Sequence, residues 1–148
     1  MASGAANPLI REIVFSDVNV SFLPHPVTGK LPVLKNADAV KAAVRNLILT
    51  NFGERPYQPL YGGNITALLF ENADDPLLAD QIKRQIRSAI RNHEKRAKVT
   101  DIEVRSSGDR DQRSISTIDQ NLLSITISFL VSNERFPVQL EVAIERAR

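Results

Sequence analysis

The chain of 148 residues contains no cysteine and no tryptophan. Without thiols there is no disulfide staple, no thiolate nucleophile and no zinc site built on sulfur. Such a chain suits folding in a reducing compartment. Histidine is nearly absent as well. His25 and His93 lie far apart, and neither has a second histidine at ligand spacing. Aromatic residues make up 5% of the chain, and no apolar run approaches the roughly 20 residues that cross a bilayer. Excess charge is also scarce: 19 basic against 17 acidic residues leave +2. So weak a field, with few rings for bases to stack on, argues against a nucleic-acid partner. Neither a G-x-S-x-G turn nor a G-x-x-x-x-G-K-[ST] loop occurs. Met1 to Pro8 is small and polar, with no basic stretch leading into an apolar one, so no signal peptide is expected. Residues 1–9 read as a flexible tail and 10–148 as one domain, a length that can bury a core unaided.

What is present is a globular composition, 43% hydrophobic and 24% charged. Ile10 to Phe22 is rich in β-formers, and Ile13, Phe15, Val18, Val20 and Phe22 are its candidate buried positions. Pro24 to Pro32 holds three prolines and Gly29, which makes a turn or a β-arm. Asn36 is placed to cap a helix through Leu49. Val40, Ala43, Val44, Leu47 and Ile48 recur on one stripe of it. Gly53 is the expected left-handed stop, and Pro56 prevents resumption. After a loop over 53–63, Asn64 is a candidate cap for a short helix over Ile65 to Phe70. Asp75-Pro76 predicts the start of a long helix to about His93. Leu78, Ile82, Ile86, Ala89, Ile90 and His93 share one side; Lys83, Arg84, Arg87 and Arg91 lie mostly on the other.

Lys98 to Arg105 predicts a strand, and Ser106 to Asn121 a polar loop. Leu123, Ile125, Ile127, Phe129 and Val131 alternate with polar residues. The alternation restarts at Val138, Leu140, Val142 and Ile144. For both apolar sets to face one side of a hairpin, odd positions must pair with even ones. The predicted fold is α+β: a single antiparallel sheet with helices packed on one face, closed by a C-terminal β-hairpin.

The candidate chemistry is thin. Asp109 and Asp111 sit in an acidic stretch, but Arg110 and Arg113 interrupt it and no carboxylate follows at the twelfth position of a calcium loop. Glu54, Glu71 and Glu94 fall at element ends, where a pair of carboxylates could cleave a glycoside. Arg55 follows Glu54, and Lys95 and Arg96 follow Glu94; such neighbours keep a carboxylate ionised and suit a salt bridge better than a general acid. No catalytic residue, metal, cofactor or small-molecule substrate is expected. The stripe Arg84, Arg87, Arg91, Lys95 reads as a solvated helix face or as a protein-binding one, with arginines forking onto carboxylates.

One segment carries a specific pattern. Thr50-Asn51-Phe52-Gly53-Glu54-Arg55-Pro56-Tyr57-Gln58-Pro59-Leu60-Tyr61-Gly62 resembles the T-x-x-G-E-R-x-x-x-P-x-[FY]-G stretch of the GPW/gene-twenty-five family. The order around it is similar too: Phe15-Ser16-Asp17-Val18 and a Thr28-Gly29 turn before it, then Leu69-Phe70-Glu71, a long helix and a closing hairpin after it. Where the family carries Glu-Pro-Arg after the long helix, this chain has Glu94-Lys95-Arg96. Members are baseplate wedge proteins of contractile-tailed phages and the TssE component of type VI secretion baseplates.

The resemblance implies a structural protein of the virion's tail baseplate, assembled in the host cytoplasm. Its partners would be other wedge proteins and the tail sheath protein in a six-fold baseplate, with no nucleic acid and no membrane. It further implies that Gly53, Glu54, Arg55, Glu94, Lys95 and Arg96 face the helical core of the wedge. The C-terminal hairpin resembles the strand-exchange module of the sheath. Ser128, Leu130, Gln139, Glu141, Ala143 and Glu145 would then meet the sheath, with the hairpin templating its polymerisation by strand addition. Some members carry an old label of tail lysozyme, so a tail-associated peptidoglycan hydrolase is the alternative.

Overall fold

A computed structural model describes residues 14–69, 77–106, 122–132 and 134–145. The predicted tail, Ile13, Phe70, Glu71, the Asp75-Pro76 helix start and the 107–121 loop lie outside them. Eight elements follow in order: β1 (Ser16–Val18), β2 (Val33–Lys35), α1 (Ala37–Leu49), α2 (Ile65–Leu69), α3 (Leu78–His93), β3 (Ala97–Ser106), β4 (Leu122–Val131) and β5 (Val138–Glu145). The class is α+β, as expected, but the strands form two sheets rather than one. β1 and β2 make a separate antiparallel ribbon; β3, β4 and β5 make the main sheet, with β4 central.

The main sheet obeys the side-chain period of two. Leu123, Ile125, Ile127, Phe129 and Val131 are all buried. Across the hairpin, Leu123 faces Ile144, Ile125 faces Val142, Ile127 faces Leu140 and Phe129 faces Val138. Odd pairs with even, so both strands present their apolar sets to one side. β3 joins with a bulge between Val99 and Asp101. The bulge shifts its inward set from Ala97 and Val99 to Ile102 and Val104.

The helices cover that apolar face. α1 buries Val40, Val44, Leu47 and Ile48, and α3 buries Ile82, Ile86, Ala89 and Ile90; in both the positions are i, i+4, i+7 and i+8, one stripe of a helix. Each buried isoleucine contributes roughly 1.5–3 kcal/mol of transfer free energy, so the stripe, rather than helix propensity, holds α3 on the sheet. His93, expected on that side, is exposed at the last turn.

Three expectations about chain ends change. Asn36 precedes α1 but makes no side-chain cap bond to the helix. Its Oδ1 instead accepts from the backbone N–H of Val14 at 2.9 Å and of Phe15 at 3.2 Å, tying the ribbon to the helix start. Asn64 likewise spends its Oδ1 on the Phe52 N–H, at 3.4 Å. α1 ends at Thr50, which is extended, and Gly53 takes its positive φ of 84° three residues later, inside the loop. The ribbon itself projects: Val18, Val20 and Phe22, expected to be buried, are 45%, 60% and 64% exposed because no described element lies over them.

Candidate functional site

At the C-terminus of α3 the chain must turn sharply into β3. Glu94 ends the helix, its N–H still bonded to the Ile90 carbonyl, and the Ala97 N–H donates back to the Glu94 carbonyl at 3.2 Å. This turn carries Glu94-Lys95-Arg96. Glu94 is buried, at 8% exposure. Arg96 donates to it through Nε at 2.7 Å and Nη2 at 2.6 Å, a planar fork on a planar carboxylate. The Arg96 backbone N–H adds a third bond to Oε1 at 3.2 Å. The hydrogen bond to Glu94 raises the Arg96 pKa above its ordinary value, against a lowering by burial, with smaller raising contributions from the charges of Glu94 and Asp17. The guanidinium also lies 5.4 Å from the centre of the Phe15 ring, at the foot of the ribbon. The Arg96 carbonyl receives the N–H and hydroxyl of Ser132 at 3.0 and 3.2 Å, so the end of β4 closes over the same turn.

The 53–60 loop is exposed throughout, with Tyr57 at 98% and Leu60 at 74%. It is held in shape from behind. Gly63 donates to the carbonyls of Leu47 and Thr50 at 2.8 and 3.1 Å, and Asn64 to Thr50 at 3.3 Å. The loop thereby caps the open carbonyls of α1. Glycine is required there: a Cβ on Gly63 would stand 2.8 Å from the Ile48 oxygen, and one on Gly62, at φ 132°, would collide with the Thr50 carbonyl. The pair Gly62-Gly63, uninformative as sequence, is thus a structural clamp.

The four charges of the two motifs do not form one ion-paired cluster among the described residues. Arg96 pairs with Glu94. Glu54 accepts from Asn51 Nδ2 at 2.9 Å. Arg55 lies over the Tyr61 ring at 3.7 Å. Tyr61 in turn meets His93, ring centres 4.9 Å apart and planes tilted by 59°. The row Arg55–Tyr61–His93 therefore carries the loop onto the end of α3, one residue before Glu94. The sequence marks Tyr61 within the family-like stretch and His93 on the apolar side of the long helix, but not their contact, which crosses 32 positions.

The second candidate surface is the outer face and edge of the main sheet. Gln139, Glu141 and Ala143 of β5 are exposed there, with Ser128 and Leu130 of β4 half-buried, and Glu145 ends the strand. The Ser124 hydroxyl donates to Glu141 Oε1 at 3.0 Å. Ser128 lies opposite both Asp101 of β3 and Gln139 of β5, so it offers a side chain but no edge backbone. β5 does lie at a sheet edge: among the described residues its only main-chain partner is β4.

Among the described residues the carboxylates show no arrangement for glycoside cleavage. Glu94 is locked in its fork with Arg96, Glu54 is exposed on a loop, and Glu71 falls outside the described residues. No group of three potential metal ligands occurs among the described residues.

Comparisons with known proteins agree on one group. A family profile described as "Baseplate wedge protein gp25" matches residues 35–135. The baseplate wedge protein gp25 of Enterobacteria phage T4 is 41% identical over 58 residues, 39% of this chain and 43% of that protein; the match spans less than half the length of that relative. A chain from the cryo-EM structure of the anti-feeding prophage baseplate, 6-fold symmetrised, is similar with a TM-score of 0.62 and 26% identity, covering 82% of this chain and 88% of that one. The crystal structure of a putative tail lysozyme from Geobacter sulfurreducens shares the fold, with a TM-score of 0.55 and 18% identity over 74% of this chain and 91% of that one.

Proposed function

The chain belongs to the baseplate wedge protein gp25 family, whose profile covers residues 35–135, and on that premise we propose that it is a structural, non-catalytic wedge component of a contractile-tail baseplate. It works in the virion's tail, among other wedge proteins in a six-fold ring. The turn Glu94-Lys95-Arg96 and the loop Gly53-Glu54-Arg55 face the wedge core. β5 faces the sheath and templates its polymerisation by strand addition.

The observation that carries this reading is the edge of β5, which pairs with β4 alone among the described residues. Its eight residues pair with β4 in continuous register, without a bulge. At about 3.3–3.4 Å per residue that edge offers roughly 27 Å of evenly spaced donors and acceptors. An incoming strand is then fixed in direction and register by backbone hydrogen bonds alone. Repeated around a six-fold ring, such edges give the first sheath subunits their neighbours' geometry before any sheath exists. The polar outer face at Ser124 and Glu141 keeps the hairpin wet, so the edge is the binding surface.

Proline tests this directly, because it removes one backbone donor. Glu141 and Val142 point their N–H groups to opposite sides, one toward β4 and one outward. Proline is placed at each in turn, and thermal unfolding identifies the variant that keeps the β4 ladder. That variant is expected to enter the baseplate normally and to block sheath polymerisation. Normal sheath on baseplates carrying it overturns strand addition by β5. Failure of the wild-type chain to enter baseplates at all overturns the wedge assignment itself.

A further inference from the structure

The outer face of α3 carries a row of cations that the fold does not use. Arg84, Arg87 and Arg91 follow one another on the helix at spacings of three and four, Lys95 continues the row in the turn beyond it, and all are exposed. None pairs with a carboxylate among the described residues. Elsewhere on the surface cations do find acids: Lys41 lies 3.9 Å from Asp38 and Arg105 2.9 Å from Glu103. Asp80, one turn before Arg84 on the same helix, makes no such pair. Successive like charges at these spacings repel one another and weaken an isolated helix. The buried stripe Ile82, Ile86, Ile90 holds α3 in place in spite of the row.

From this unpaired row, resting on the wedge reading above, we propose that α3 is a docking rail for an acidic helix of another wedge protein. The partner's chemistry follows from charge and spacing. The three arginines on the helix span roughly 10 Å at 1.5 Å per residue. Carboxylates three and four residues apart on a second helix repeat with the same rise, so every pair can be met at once. Alternate residues of a strand advance about 6.6–6.8 Å, which puts the third carboxylate roughly 3 Å out of step. Arginine suits the task, because its fork takes a carboxylate through two parallel bonds. A nucleic acid would also answer the charge, but no aromatic residue stands among the four to stack a base. The row also runs without interruption into the turn Glu94-Lys95-Arg96, so the docked helix would extend the wedge-facing surface along α3.

The test uses the full chain in assembled baseplates. Arg84, Arg87 and Arg91 are replaced singly by Lys, which keeps the charge and adds an amine. Water-soluble carbodiimide then joins any lysine amine touching a carboxylate, with loss of water and no spacer. The expected result is three cross-links to Asp or Glu residues three or four apart in one wedge protein. In parallel, the triple variant Arg84→Glu/Arg87→Glu/Arg91→Glu should enter baseplates at least tenfold less well, while its isolated form unfolds at the wild-type temperature within a few degrees. Lysines that stay open to a soluble amine reagent in the baseplate, or normal entry of the triple variant, overturn the proposal. So does tight binding of duplex DNA by the wild-type chain that the triple variant loses. Because the single Lys variants still enter the baseplate if the wedge assignment holds, a free row there refutes only the rail. Absence of every variant and of the wild type refutes the assignment beneath it.

Discussion

Arg96 and Glu94 sit where three elements meet: the end of α3, the start of β3 and the foot of the ribbon at Phe15. Glu94 is the more deeply buried partner, so it loses more when the fork is removed. Hydrogen bonds to charged groups contribute about 1.5–3 kcal/mol each way. Arg96→Ala is expected to lower unfolding stability by about 1–3 kcal/mol in urea titration, and Glu94→Gln/Arg96→Ala by less than the two single changes combined. Arg96→Lys should recover only part, since a point charge cannot meet both oxygens in plane. Full recovery by lysine would mean that charge alone matters. Gly63 gives a second residue-level test. Gly63→Ala forces a Cβ against the Ile48 carbonyl, which is helix backbone and cannot swing aside. A cost of roughly 1–3 kcal/mol is expected, as for other overpacked sites. A thermal midpoint unchanged from wild type would show that the clamp is looser than its geometry.

Among the elements, the ribbon depends most on a single side chain. A two-stranded ribbon is marginal by itself in water, and Asn36 Oδ1 holds the backbone of Val14 and Phe15. Asn36 also sits at φ 44°, where a short polar side chain is better tolerated than alanine. Asn36→Ala should therefore speed amide hydrogen exchange over 14–35 while the main-sheet amides keep their protection; Asn36→Asp, which retains the acceptor, should change it much less. Equal exchange in both variants would assign the anchoring elsewhere. The elements were legible where a period was imposed by one buried side: both long helices, and the odd-to-even register of the β4–β5 hairpin. They were misread where the same residue types face nothing. Val18, Val20 and Phe22 alternate like a core strand, yet a sequence does not reveal that no layer covers them. The role of Gly62-Gly63 was unreadable for a related reason: what demands glycine is the backbone of Ile48 and Thr50, brought close only by the folded loop. The Arg55–Tyr61–His93 row joins two motifs that lie far apart in the sequence.

Over the whole molecule, a net charge of +2 conceals an uneven distribution of charge. Cations line the outer side of α3, while the strands of the main sheet expose both signs, Asp101, Glu103 and Glu141 beside Lys98 and Arg105. On the proposals above, the α3 side would meet the wedge core and β5 the sheath. If so, raising salt should weaken entry into the wedge far more than it weakens sheath growth, since shortening the Debye length from about 10 Å at 0.1 M to about 3 Å at 1 M screens charges but leaves backbone hydrogen bonds in place. Equal salt sensitivity of the two steps would remove that distinction. The most direct test is hydrogen–deuterium exchange over residues 138–145 in purified baseplates, before and after sheath subunits are added. Strand addition predicts that every second amide along β5 gains protection as the first sheath ring forms, while those already bonded to β4 stay as they were. Sheath formation with the exchange of β5 unchanged would contradict it.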